Sequence, residues 1–243
     1  MKGFISMFSR KNLAVVVAEA LGTGILTFSI LAVSRSAVGV PYFVAVGVGL
    51  TMAILVLTIG LTSGAHVNPA VTVGLWSVKK VSNLRAVAYI AAQFVGAAAA
   101  YKLYTYLVVG GLQNIAGPTF KWQVLVAELV GTMIFTFGIA AAVFNKYEGG
   151  KLAATIGGSL VVGIFVAGVA SNGILNPAAA MGVQSWSKAY VAGPILGGLV
   201  GMNLYSLLFA SKPSSVLVMS SPSKPVVSKK PAAKKSTSSK KKK

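Results

Sequence analysis

Six stretches of about twenty mostly apolar residues leave this chain few folds: Leu13–Val33, Pro41–Thr62, Ala86–Tyr106, Trp122–Phe144, Leu152–Ala170 and Ala189–Ala210. Each is long enough to cross the roughly 30 Å hydrocarbon core of a bilayer as a helix. Inside them the only charged residues are Glu19, Lys102 and Glu128. A length of 243 residues would otherwise suggest one or two soluble domains, but 55% hydrophobic and 10% charged residues place the chain outside the usual globular mix. There is no Cys, which excludes disulfides, thiol catalysis and cysteine-ligated metal sites. Two further apolar segments, Asn68–Ser77 and Asn176–Ser185, span only ten residues each. As helices they would reach ~15 Å, half the membrane.

Lys2, Arg10 and Lys11 before an apolar run have the outline of a signal peptide, but the run is too long and contains Glu19, so it is read as the first span. Six spans put both termini on one side, and the excess of Lys and Arg in cytoplasmic loops orients them. Cytoplasmic termini leave Arg35, Lys102, Lys121 and Lys188 outside and put the other eighteen cations, ten of them in the last 33 residues, inside. Without that tail the count is still eight against four.

The chain is a duplication. A shift of 109 lays Val17-Ala18-Glu19 on Val126-Ala127-Glu128 and Gly22-Thr23 on Gly131-Thr132. A shift of 108 lays Ser63 on Ser171, Asn68-Pro69-Ala70 on Asn176-Pro177-Ala178, and Gly74 on Gly182. A shift of 101 lays Tyr89, Gly96 and Tyr104 on Tyr190, Gly197 and Tyr205. Three spans per half make the second half enter the membrane upside down, giving an inverted 3+3 repeat, an arrangement that places its site at the midplane. The expected class is an all-α membrane protein with six transmembrane helices plus two half-membrane helices. Its parts are a cytoplasmic N-terminus (1–12), a first repeat (13–107) with a half-helix at 68–77, and an extracytoplasmic connecting loop (108–121). A second repeat (122–210) with a half-helix at 176–185 and a Lys-rich tail (211–243) complete it.

Asn is a strong N-cap and Pro suits the first helical position, so Asn68-Pro69 and Asn176-Pro177 each read as a helix start deep in the membrane. Two half-helices meeting N-terminus to N-terminus bring two positive dipole ends together, which opposes cations and protons. The carboxamide N–H groups of Asn68 and Asn176 would then face a passing neutral solute. One Asn-Pro-Ala is a common turn starter; two at equivalent places in an inverted repeat are specific.

On these motifs the chain resembles the aquaporin (major intrinsic protein) family over about residues 11–210, and Ser63–Gly74 is similar to that family's first pore loop at nearly every position. The resemblance implies an aquaporin-like homotetramer with one pore per subunit, passing water or small uncharged solutes without a cofactor. It also implies that Glu19 and Glu128 are buried carboxylates holding the pore loops through backbone N–H groups, and that His66 has a similar supporting role. Where the family carries an outer-filter Arg after the second motif, this chain has Ala179. Ungapped counting from the two Asn residues puts the other filter positions at Val48, Ile164 and Gly173. None is His or aromatic, so the expectation is a wide, mostly apolar filter. The glycerol branch carries Asp and a cation where this chain has Ala180 and Gln184, which leans the reading toward water. The Met181-Gly182 pair and the lysine tail resemble the small basic intrinsic proteins.

Intramembrane carboxylates admit a second class of function, an inverted-repeat transporter coupled to an ion gradient through Glu19 and Glu128. A facilitator for glycerol, urea, ammonia or peroxide is the alternative within the same fold. Thr27 and Thr136 are expected to satisfy backbone groups within the bundle. No nucleophile–base set, metal cluster or phosphate loop points to an enzyme. The tail is expected to be disordered and to contact anionic lipid head groups rather than nucleic acid, since it lacks interleaved aromatics. Lys240 and Lys241 resemble a dilysine retrieval signal, so the expected location is the plasma membrane, or the endoplasmic reticulum in a eukaryote.

Overall fold

The computed structural model describes residues 9–35, 41–117 and 119–210. The segment 1–8 and the tail 211–243, with its expected disorder and lipid contact, lie outside the described residues. Among those described there are eight helices and no strand. Six are long and apolar enough to cross a membrane. They are α1 (Arg10–Ser34), α2 (Pro41–Ser63), α4 (Asn83–Leu107), α5 (Trp122–Phe144), α6 (Gly149–Ala167) and α8 (Lys188–Leu208). The two short ones are α3 (Pro69–Ser77) and α7 (Pro177–Gly182).

α3 begins where the sequence predicts. α7 does too, but it is six residues long and stops three short of the predicted end. The reason is local: Gln184 turns left-handed (φ 59°), the Ser185 N–H reaches back to Ala180 O at 2.8 Å and the Gln184 N–H to Met181 O at 3.2 Å. That pair of bonds closes a helix and satisfies its last carbonyls. α3 ends in the same way, with Lys79 at φ 60° and Lys80 N–H on Leu75 O at 2.9 Å. α6 starts and ends three residues earlier than predicted, because the chain turns at Gly168, whose N–H caps onto Ile164 O at 2.8 Å.

Packing follows the repeat. α1 lies on α4 and on α2, as α5 lies on α8 and on α6. Each short helix packs against the last long helix of the other half, α3 on α8 and α7 on α4, and α2 crosses α6 between the halves. Glycines allow these crossings. A Cβ on Gly74 would sit 2.7 Å from Gly198 O, and one on its equivalent Gly182 would sit 2.8 Å from Ala97 O. At the α2–α6 crossing the equivalent residues Gly49 and Gly157 meet each other, and a Cβ on either would strike the carbonyl of the other.

The outer surface is apolar. Between 33% and 44% of the apolar window of each long helix is buried, and Leu21, Leu50, Val87 and Val95 point outward. In water such a surface would aggregate; against lipid it needs no partner. Trp76, Trp122 and Trp186 stand at or beside helix ends, each substantially exposed, as an interfacial belt requires.

Candidate functional site

The middle of the bundle is built from the two loops that lead into α3 and α7. Both take a costly backbone path. Gly64, Ala65 and Val67 have φ of 92°, 48° and 44°; Gly173 and Leu175 have 61° and 55°. A left-handed Val or Leu is a steric outlier worth roughly 1–3 kcal/mol, and persists only where its surroundings hold it. Here a buried carboxyl group holds each loop. Glu19 accepts the His66 N–H on Oε1 (3.0 Å) and the Val67 N–H on Oε2 (2.7 Å). Glu128 accepts the Ile174 N–H on Oε1 (3.0 Å) and the Leu175 N–H on Oε2 (2.7 Å). Both acids are fully buried. Because α1 starts at Arg10, Glu19 sits nine residues in, ~13 Å along the helix.

Sequence reasoning missed the residues that surround these acids. Gln93 donates through Nε2 to Glu19 Oε2 (2.8 Å) and Thr72 Oγ1 (3.0 Å), and Thr72 donates to Asn68 O (3.0 Å). In the second half Pro194 stands at the equivalent of Gln93, and the Ser171 hydroxyl binds Glu128 Oε1 (2.8 Å), as its equivalent Ser63 hydrogen-bonds Glu19 in the first half. A lone amide inside an apolar span was the available signal for Gln93. His66 places Nδ1 3.1 Å from Thr72 Oγ1 and packs edge-on against Tyr89, whose hydroxyl donates to Ser63 O at 2.6 Å. Thr136 donates to Thr132 O (2.8 Å) and Gly197 O (3.2 Å), whereas the Thr27 hydroxyl has no partner among the described residues, contrary to the expectation from the repeat.

Asn68 and Asn176 face one another. Each caps its helix: Asn68 Oδ1 accepts from Ala70 N (2.8 Å), and Asn176 Oδ1 from Ala178 N (3.0 Å) and Ala179 N (3.2 Å). Each also donates across the repeat, Asn68 Nδ2 to Leu175 O and Asn176 Nδ2 to Val67 O, both at 2.9 Å. A carboxamide has two N–H groups, so this cross-bond takes one and leaves the second for another acceptor. Pro69, Pro177, Ala70 and Ala178 are buried beneath the two caps.

Three adjoining cavities meet at this point. A mouth of about 460 Å³ opens at the Arg35 end of the bundle, and a vestibule of about 360 Å³ at the Lys80 end. Between them lies a neck of about 10 Å³, enough for one water at a time. Ile30, Val48 and Ile174 line both mouth and neck; Met52 and His66 line both neck and vestibule. The neck's polar lining is His66, Asn68 and Asn176, against a wall that includes Leu26, Phe135 and Leu160. His66 is therefore both a packed loop residue and part of the wall.

At the mouth the structure brings together Val48, Ile164 and Gly173. Ala179, expected beside them in the first turn of α7, does not line it: its methyl is fully buried. The mouth is mostly apolar, and among the described residues Arg35 is its one charged lining residue.

A sequence model of the family described as major intrinsic protein matches residues 6–205. The chain belongs to the major intrinsic protein family. It is 31% identical over 231 residues to Aquaporin NIP1-3 of Oryza sativa subsp. japonica, covering 88% of this chain and 80% of that protein. It is 34% identical over 194 residues to Aquaporin AqpM of Methanothermobacter marburgensis, covering 70% and 78% respectively. Among solved structures, the aquaglyceroporin from Plasmodium falciparum matches with a TM-score of 0.68 at 23% identity, over 81% of this chain and 96% of that one. At that identity the likeness shows the fold alone. As a major intrinsic protein with six apolar spans the chain is an integral multi-pass membrane protein, and its class is the passive channel, not the enzyme.

Proposed function

We propose that the three adjoining cavities are a pore for water and small uncharged solutes. The observation that carries this reading is the neck: room for about one water, with apolar side chains on its wall and His66 and the two Asn carboxamides as its polar lining. A water in the neck accepts the second N–H of Asn68 and Asn176 while the apolar wall offers it nothing. The N-termini of α3 and α7 converge on the same point, so a cation or a relayed proton meets partial positive charge there. Glu19 and Glu128 line none of the three cavities and are engaged by backbone N–H groups, which favours a loop-holding role over proton carriage. Lysine distribution supports the Lys80 end as cytoplasmic, with both termini on that side. The family resemblance supports a homotetramer.

The wide, apolar mouth without a guanidinium at position 179 favours a second reading, entry of glycerol or urea alongside water. Stopped-flow light scattering on proteoliposomes tests both. Water flux well above empty vesicles with little glycerol entry is expected for a water pore. Ala179→Arg would place a guanidinium across the mouth from Val48 and Ile164, and is expected to lower glycerol and urea entry by about tenfold, far more than water. Wild-type flux no faster than empty vesicles, from folded protein, would refute the pore.

A further inference from the structure

We infer that Ile115, on the loop joining α4 to α5, sets the width of the Arg35-end mouth and with it the size limit on uncharged solutes; this rests on the pore reading above. Four observations converge. Ile115 lines the same cavity as Val48, Ile164 and Gly173, to which Ala179 contributes no side chain. It is half exposed and lines the mouth, so it is not a core-filling residue. Its peptide is fastened at both sides: Ile115 N–H donates to Gln184 O at 2.7 Å, and Asn172 Nδ2 lies 3.4 Å from Ile115 O. The flanking residue is fastened as well, with Asn114 Nδ2 on Trp186 O (3.1 Å) and Asn114 Oδ1 accepting Ala116 N–H (2.8 Å).

The anchors matter because a loop residue limits a pore only if it holds still. Gln184 and Trp186 follow directly on α7, and Asn172 is in the loop that leads to Asn176; its N–H donates to Tyr190 Oη (2.8 Å) and its Nδ2 to Ser185 Oγ (2.8 Å). The segment carrying Ile115 is thus tied to the elements that position the neck. A four-carbon aliphatic side chain there repels polyols and amides by size and by offering no hydrogen bond, while a single water slips past. Bulk absent at position 179 is supplied from the connecting loop.

The test is the ratio of glycerol to water permeability in proteoliposomes of the full chain, for wild type, Ile115→Ala, Ile115→Phe and Asn114→Ala. Removing the aliphatic group is expected to raise the ratio on the order of tenfold, the lower end of what one lost apolar group does to discrimination. Ile115→Phe is expected to lower it, and Asn114→Ala, which unfastens an exposed loop without touching the cavity, to raise it. In an Ala179→Arg background the Ile115→Ala effect should shrink, because both side chains would narrow one opening. Ratios within twofold of wild type for both Ile115 variants overturn the inference and leave the pore standing. If Ile115→Ala fails to fold, unchanged ratios in Ile115→Phe and Asn114→Ala overturn it. Absent wild-type water flux refutes the pore reading itself, and this inference with it.

Discussion

Glu128→Ala and Glu19→Ala should each yield protein that does not reach the folded state. The Glu128 change removes the acceptor of the Ile174 and Leu175 N–H groups and of the Ser171 hydroxyl, all inside the bundle. The Ser171 hydroxyl can turn to Ala167 O (3.0 Å), but the two orphaned N–H groups each cost about 1–3 kcal/mol, so the sum is roughly 2–6 kcal/mol before any cavity is counted. The loss also releases the left-handed Leu175, whose carbonyl holds Asn68. Through that link a change on α5 disturbs the cap of α3 in the other repeat, and the Glu19 change does the same in reverse through Val67 and Asn176. Glutamine at either position keeps one acceptor but sets an NH2 against a second donor, and should be intermediate. Size-exclusion profile and thermal midpoint in detergent are the measurements. An alanine variant that elutes and melts like wild type would sink the loop-holding role. One that folds, and loses coupling to an ion gradient rather than passive flux, would restore the transporter reading.

Gly157→Val should be nearly as damaging, and its neighbour Gly158→Ala should not. A Cβ at position 157 would lie 2.5 Å from Gly49 O and 3.0 Å from Ala53 Cβ. Backbone cannot swing aside as a side chain can, so α2 and α6 must separate. Overpacking of this kind costs about 1–3 kcal/mol for a single methylene, and valine brings two more methyls than alanine. Separation would also reach the pore, because Val48 and Met52 on α2 and Leu160 and Ile164 on α6 line the neck or the mouth. Any Gly157→Val protein that folds should therefore lose discrimination between water and glycerol. A Cβ at position 158 meets nothing within 4 Å, and replacing a helical glycine by alanine there should stabilise by about 0.5–1 kcal/mol. Equal melting temperatures for the two variants would show that the α2–α6 contact is not tight.

The span count, the duplication and the twin helix starts could be read from the sequence because each is written locally. Bilayer thickness sets a run length, a left-over Glu in an apolar run marks a buried group, and Asn-Pro starts a helix whatever surrounds it. Boundaries drifted by three residues at the starts of α1 and α4, at both ends of α6 and at the end of α7, because caps and polar first turns rather than hydrophobicity set a helix end. Resemblance to a known family supplied the filter positions, and three of the four meet at one mouth.

What the sequence by itself determined is a six-span inverted repeat with an Asn-capped half-helix in each half. Only the tertiary structure decided that each Asn spends one N–H on the other repeat, that Gln93 binds Glu19, and that Ile115 lines the mouth while Ala179 is buried. The cross-repeat bonds join residues 107 and 109 positions apart, and the mouth gathers walls from both repeats and the loop between them. No local pattern encodes such meetings. They arise because glycine-lined crossings let α2 and α6 approach to backbone contact, and that approach places the two loops within hydrogen-bonding reach of one another.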